Sequence, residues 1–198
     1  MKPFLILQLR PETEASDSEF EAILRKGGLS TDAVHRVRLD QESLEADLDL
    51  DDYAGVIVGG GPGCVSDAPE KKSDVEARIE AQVLGLMPAI TQTDKPFLGC
   101  CYGIGILGKH LDGDVSKRAF GEPVGTSDCE ITADGKEDAL LDGVPTAFTA
   151  FVGHKEALQA LPEGCRHLVR SDTCPFQMFK HGENVYATQF HQIGRAHV

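Results

Sequence analysis

Positive charge is scarce in this sequence. Its 198 residues hold 19 Lys and Arg against 32 Asp and Glu, a formal net charge of −13, which disfavours a nucleic acid or an anionic membrane surface as partner. Long apolar runs are missing too. No stretch could span a bilayer, and the first run, Phe4-Leu5-Ile6-Leu7, meets Arg10 and Glu12 too early for a signal-peptide core. The six cysteines include no CxxC pair and no zinc spacing, so neither a disulfide framework nor a metal is expected, and the setting reads as reducing cytoplasm. A P-loop lysine motif and a dinucleotide-binding glycine fingerprint are absent as well. No internal repeat or low-complexity segment interrupts the chain, and its length suits one domain burying about 70% of its unfolded surface.

What is present is an alternation. Phe4 to Gln8 reads as a buried parallel strand between Pro3 and Pro11. A helix follows, capped by Asp17 or Ser18, carrying Phe20, Ile23 and Leu24 on one face and stopping at Gly27-Gly28. Val37 and Leu39 alternate with arginines as an edge strand. Gly55 to Val58 is a second buried strand, running into Gly59-Gly60-Gly61-Pro62-Gly63. From Ser73 a helix places Val75, Ile79, Val83 and Leu86 on one face, with Pro88 near its end, and Pro96 to Gly99 is the next strand. This order predicts an α/β fold, a doubly wound, mostly parallel sheet covered by helices on both faces. Later strand-like runs at Cys129–Thr132, Phe148–Phe151 and Phe176–Phe179 predict a small antiparallel extension. Asn184 to His191 reads as a last strand delivering His191 at its carboxyl end.

The chemistry concentrates at Gly99-Cys100-Cys101-Tyr102-Gly103. An apolar strand entering a Gly-x-Cys-x-Gly turn and then a helix is the signature of a nucleophile elbow, and the glycines remove Cβ atoms that would clash at the bend. Cys101 is the candidate nucleophile. The helix N-terminus behind it is expected to lower the thiol pKa. Cys100 is expected to face the packing of the sheet. His191 would reach the same sheet edge as base, and the Gly59–Gly61 loop offers unshielded N–H groups for an oxyanion. Gly61 is the leading donor, with Gly60 beside it and the N–H of Tyr102 opposite. Cys64, Cys129, Cys165 and Cys174 read as structural. The acidic runs read as solvated faces.

Together, the elbow, the loop Ile57-Val58-Gly59-Gly60-Gly61-Pro62-Gly63 and Gln189-Phe190-His191 resemble the motifs of the class I glutamine amidotransferases, Cys-His-Glu hydrolases that release ammonia from the glutamine side chain. The resemblance covers nearly the whole chain and is strongest to stand-alone proteins similar to the GMP synthase amidotransferase domain. It implies a flavodoxin-like fold, no cofactor, glutamine or another γ-glutamyl small molecule as substrate, and an ammonia acceptor or synthetase partner that the sequence does not name. It also implies that Cys101 attacks the amide and that His191 protonates the leaving ammonia. Gly153-His154-Lys155-Glu156 falls where the family places a substrate-recognition loop, so His154 and Glu156 would bind the amino acid part of the substrate.

Two departures stand out. Family members often carry a substrate-contacting Gln four residues after the nucleophile, and here that position is Gly105. The family's Phe-His-Pro-Glu would put Pro at 192 and the histidine-orienting Glu at 193, where this chain has Gln192 and Ile193. Ile193-Gly194-Arg195-Ala196-His197-Val198 is an in-frame translation of a common short-read sequencing adapter, so residues 1–192 are expected to be one incomplete amidotransferase-like domain and residues 193–198 a non-native tail. Without the Glu, this polypeptide is expected to be weakly active or inactive. A γ-glutamyl hydrolase acting on a substituted γ-amide, which Gly105 favours, and a non-catalytic binding module of the same fold are the alternative readings.

Overall fold

The computed structural model describes residues 2–191. The adapter-like tail, with Gln192 and Ile193, lies outside the described residues. In chain order the elements are β1 (Phe4–Gln8), α1 (Thr13–Gly27), β2 (Val34–Arg38), β3 (Gly55–Val58), α2 (Asp74–Thr93), β4 (Phe97–Cys100), α3 (Tyr102–His110), β5 (Val115–Ser116), β6 (Glu122–Ile131), α4 (Ala133–Lys136), β7 (Ala147–His154), β8 (Ala157–Leu158), β9 (Cys165–Ser171), β10 (Met178–His181) and β11 (Val185–Thr188).

One sheet runs β2-β1-β3-β4-β11-β10-β9-β6-β7, and β5 pairs separately with β8. The first five strands are parallel. The chain leaves β1 toward β2 on one side and later moves from β3 to β4 in the opposite direction. Right-handed crossovers therefore put α1 on one face of the sheet and α2 on the other, where α2 packs on α3. The strand order reverses between β1 and β3, which is where α/β sheets hold ligands at their carboxyl edge. Arg10, the glycine loop, Cys101 and His191 follow the carboxyl ends of β1, β3, β4 and β11. The core beneath them is built from Leu5, Leu7, Val56, Val58, Ile104 and Leu107, all buried.

Three expectations change in detail. The antiparallel extension is four strands, β10, β9, β6 and β7; β9 gave no sequence signal because its Arg166, His167 and Arg170 interrupt the apolar pattern. The buried stripe of α2 is Ile79, Val83, Met87 and Ile90, while Val75 is 39% exposed; α2 is started by a capping box in which Ser73 and Glu76 bond each other's backbone. The last strand ends at Thr188, and His191 instead joins β7 through an isolated bridge, donating its N–H to the Phe151 carbonyl at 2.8 Å.

Candidate active site

The site begins with a strained turn. Cys101 adopts φ 51° and ψ −91° between β4 and α3, a left-handed conformation that costs a non-glycine residue of order 1–3 kcal/mol. A Cβ at Gly99 would stand 2.8 Å from the Gly103 carbonyl oxygen, so the strand can meet the helix only through glycine. At Gly103 a Cβ would make ordinary contact, 3.4 Å from the Val58 carbonyl oxygen; the two flanking glycines are not equivalent. The Cys101 N–H is anchored on the Thr188 carbonyl at 2.7 Å, which ties the elbow to β11.

Cys101 opens into a cavity of about 320 Å³ whose walls include Arg10, Gly61, Tyr102, His154, Glu156 and Gln189. The Gly153 carbonyl lies 4.0 Å from Cys101 Sγ, and the Gly153 backbone favours the charged form of the His191 imidazole. The backbone of β7 therefore runs past both groups, meeting the thiol at Gly153 and the His191 N–H at Phe151. Burial pushes the Cys101 thiol up to about 12, outweighing the pull of the Arg10 cation, with Glu19 and Glu156 adding to the rise. This reverses the sequence expectation of a lowered thiol pKa: desolvation of the anion overrides the helix terminus. Burial likewise pushes the His191 imidazole down to about 4, helped by Arg10 and His154 and opposed by the Gly153 hydrogen bond. At neutral pH the resting pair is a neutral thiol and a neutral imidazole.

The glycine loop lies beside this pair. The Gly60 N–H is already taken, donating to Glu19 Oε1 at 2.9 Å, so Gly60 is corrected as an oxyanion donor. Among the described residues no acceptor engages the N–H of Gly61 or of Tyr102. A Cβ on Gly60 would meet Arg10 Nη2 at 2.9 Å and His191 Cε1 at 3.1 Å, which places arginine, loop and histidine in contact.

The 153–156 segment forms the far wall. His154 sits between Glu122 Oε2 at 2.8 Å and the Glu156 carbonyl at 2.9 Å, so both ring nitrogens are engaged. Burial pushes the Glu122 carboxyl up, but hydrogen bonds from His154, Thr173, Ser127 and Gln177 pull harder and hold it near 2. Glu156 spends its carboxylate on Val65 N (2.8 Å), Ser66 N (2.9 Å) and Ser66 Oγ (2.6 Å), bracing the segment that continues the glycine loop. Gly105 lies behind that carboxylate, its Cβ position 3.0 Å from Glu156 Oε1, and does not line the cavity. As a direct substrate contact Gly105 is therefore corrected, because Glu156 fills the space in front of it.

Glu122, His154 and Cys174 also bring ligand-type atoms within 4.8 Å of one another. That set could hold a metal, but both Glu122 oxygens already accept hydrogen bonds, from Thr173 on one and from His154 and Gln177 on the other. Sequence reasoning missed Arg10, Glu19, Glu122 and the Gly153 carbonyl. Position just after β1 could have flagged Arg10; the other three become site residues only through contacts distant in sequence.

The sequence matches the family described as glutamine amidotransferase class-I over residues 13–192. Relatives include a GMP synthase (glutamine-hydrolysing) of Elusimicrobium minutum, 33% identical over 144 residues, covering 71% of this chain and 24% of that one. A separate subunit of the glutamine-hydrolysing GMP synthase of Archaeoglobus fulgidus is 27% identical, covering 72% of this chain and 67% of that one. The chain thus spans about a quarter of the first relative and two thirds of the second. Among solved structures, a glutamine amidotransferase from Thermotoga maritima superposes with a TM-score of 0.76 at 23% identity, covering 98% of this chain and 78% of that one; this likeness shows the shared fold.

Proposed function

The chain belongs to the class I glutamine amidotransferase family, and from that premise we propose that it hydrolyses the side-chain amide of glutamine through a Cys101 thioester, releasing ammonia. The observation that carries the reading is the strained elbow of Cys101, opening on a cavity beside the glycine loop against which His191 packs.

Because thiol and imidazole rest neutral, His191 takes the Sγ proton as sulfur attacks the amide carbon. The N–H groups of Gly61 and Tyr102 receive the developing oxyanion. A buried imidazolium is a strong acid, so His191 then protonates the leaving nitrogen. Ammonia departs, a thioester remains, and water activated by His191 releases glutamate. The Gly153 carbonyl orients the ring in the part a carboxylate plays in a Cys-His-Glu triad. Arg10 and Lys155 line the cavity as cations for the substrate carboxylate, and Glu156 attracts its ammonium group. His154 acts through its bonds to Glu122 and the Glu156 carbonyl, holding the wall in place.

The relatives named as single subunits of a GMP synthase support a synthetase as the partner receiving the ammonia. A substituted γ-glutamyl amide is the second substrate reading, and Gly105, which stands behind Glu156 and off the cavity wall, does not decide between the two. Glutamate release from glutamine and from γ-glutamyl anilides, compared between the parent chain and Cys101→Ala, tests both. We expect weak turnover at most, and that Cys101→Ala abolishes it. Turnover surviving that substitution would sink the mechanism, and anilide cleavage without glutamine cleavage would favour the second substrate.

A further inference from the structure

A buried carboxylate on the far side of the glycine loop has no part in the scheme above. Glu19, on α1, is 5% exposed. It accepts from Gly60 N–H at 2.9 Å and from Gln8 Nε2 at 3.0 Å, and stands 3.6 Å from Arg10 Nε. Gln8 is held in turn by the Ser16 carbonyl and by Arg36, so the carboxylate sits in a fixed polar seat. The loop has closed around it. A Cβ on Gly59 would collide with Glu19 Oε2 and lie 2.8 Å from its Cδ, and the opposite face of Gly60 is covered by Arg10 and His191.

We propose that Glu19 is a positioning residue for the oxyanion site: by holding the Gly60 N–H on the α1 side, it leaves the Gly61 N–H as the donor on the cavity wall beside Cys101. Gly59 and Gly60 are glycines because carboxylate, guanidinium and imidazole occupy the space around them. Glu19 also fixes Arg10, whose cation offsets the desolvation of the Cys101 anion. The carboxylate touches neither substrate nor sulfur and acts only through the loop and the arginine. The inference rests on the amidotransferase reading, because an oxyanion donor matters only if Cys101 attacks a carbonyl.

A donor that strengthens its bond only in the transition state affects the rate constant of the covalent step and leaves ground-state binding alone. The full chain is treated with a diazoketone analogue of glutamine, and mass spectrometry follows labelling of Cys101, giving a maximal rate and a half-saturation concentration. Gly60 amide hydrogen exchange is measured on the same samples. Glu19→Ala and Glu19→Asp, the second keeping the charge but withdrawing it by one methylene, are expected to lower the maximal rate about tenfold to a hundredfold. Half-saturation should stay within about twofold, and Gly60 exchange should accelerate. Glu19→Gln keeps an acceptor for Gly60 and should recover most of the rate, which a purely structural role would not require. Faster Gly60 exchange with an unchanged labelling rate, or a loss confined to half-saturation, overturns the proposal. A parent chain that is not labelled at all overturns the amidotransferase reading and this inference with it.

Discussion

At the scale of single residues, the site works against solvent. Cys101 is buried and His191 half-buried, and their loss of water disfavours both charged forms, one pushed up to about 12 and the other down to about 4. Both shifts disfavour a preformed thiolate–imidazolium pair at rest, as the proposed mechanism requires. The consequence is measurable by alkylation with iodoacetamide, reading Cys101 by peptide mass spectrometry. The rate should climb about tenfold per pH unit from near pH 6 to pH 10, since the thiolate fraction does so below the pKa. A plateau at neutral pH would show a preformed thiolate and overturn the neutral-pair mechanism.

At the scale of elements, each loop at the carboxyl edge is braced by a neighbour. The glycine loop is held by Glu19 of α1 on one side, and its continuation at Val65-Ser66 is held by Glu156 from beyond β7. Helix α2, which packs behind α3, depends on its Ser73–Glu76 capping box. Ser73→Ala removes the acceptor for the Glu76 N–H, and such losses cost about 1 kcal/mol. Urea unfolding should show a stability lower by that amount, seen as a lower midpoint with an unchanged slope, while the Cys101 labelling rate stays at its parent value. A loss of labelling rate would mean that the start of α2 reaches the site by a route the packing does not show.

At the scale of the whole molecule, the antiparallel half of the sheet is what completes the site, because β6 and β7 bring Glu122, Gly153 and His154 against residues far away along the chain. Glu122 is the knot, joining His154 to Thr173 and Gln177. Its folded pKa, near 2, lies below the ordinary carboxyl value of about 4.3. The unfolded chain therefore binds this proton first as pH falls, and the stabilisation, complete above about pH 4.3, is lost as pH drops through about 2. Thermal melting across that window should show a steeper loss of Tm in the parent than in Glu122→Gln, and parallel curves would remove Glu122 from the acid response.

The parallel half of the fold and the elbow were legible in the sequence because both are local. Strands buried on both faces read as apolar runs, and a strand-to-helix turn this tight admits few residues but glycine around Cys101. The glycine loop was legible for the same reason, since it closes a recognisable strand; His191 was placed at the right edge, though it lies past the end of β11 and bridges to β7. Which N–H of that loop remains available, which group orients His191, and whether the thiol is charged depend on contacts between residues 19, 60, 101, 153 and 191, and on how far folding removes water from them. Sequence determined the alternation of strands and helices in the parallel half and the tight glycine-flanked turn at Cys101, since neighbours along the chain set backbone geometry. Only the tertiary structure decided which loop N–H groups are already engaged and how strongly burial disfavours the charged thiol and imidazole, because hydrogen bonding and desolvation are set by neighbours in space.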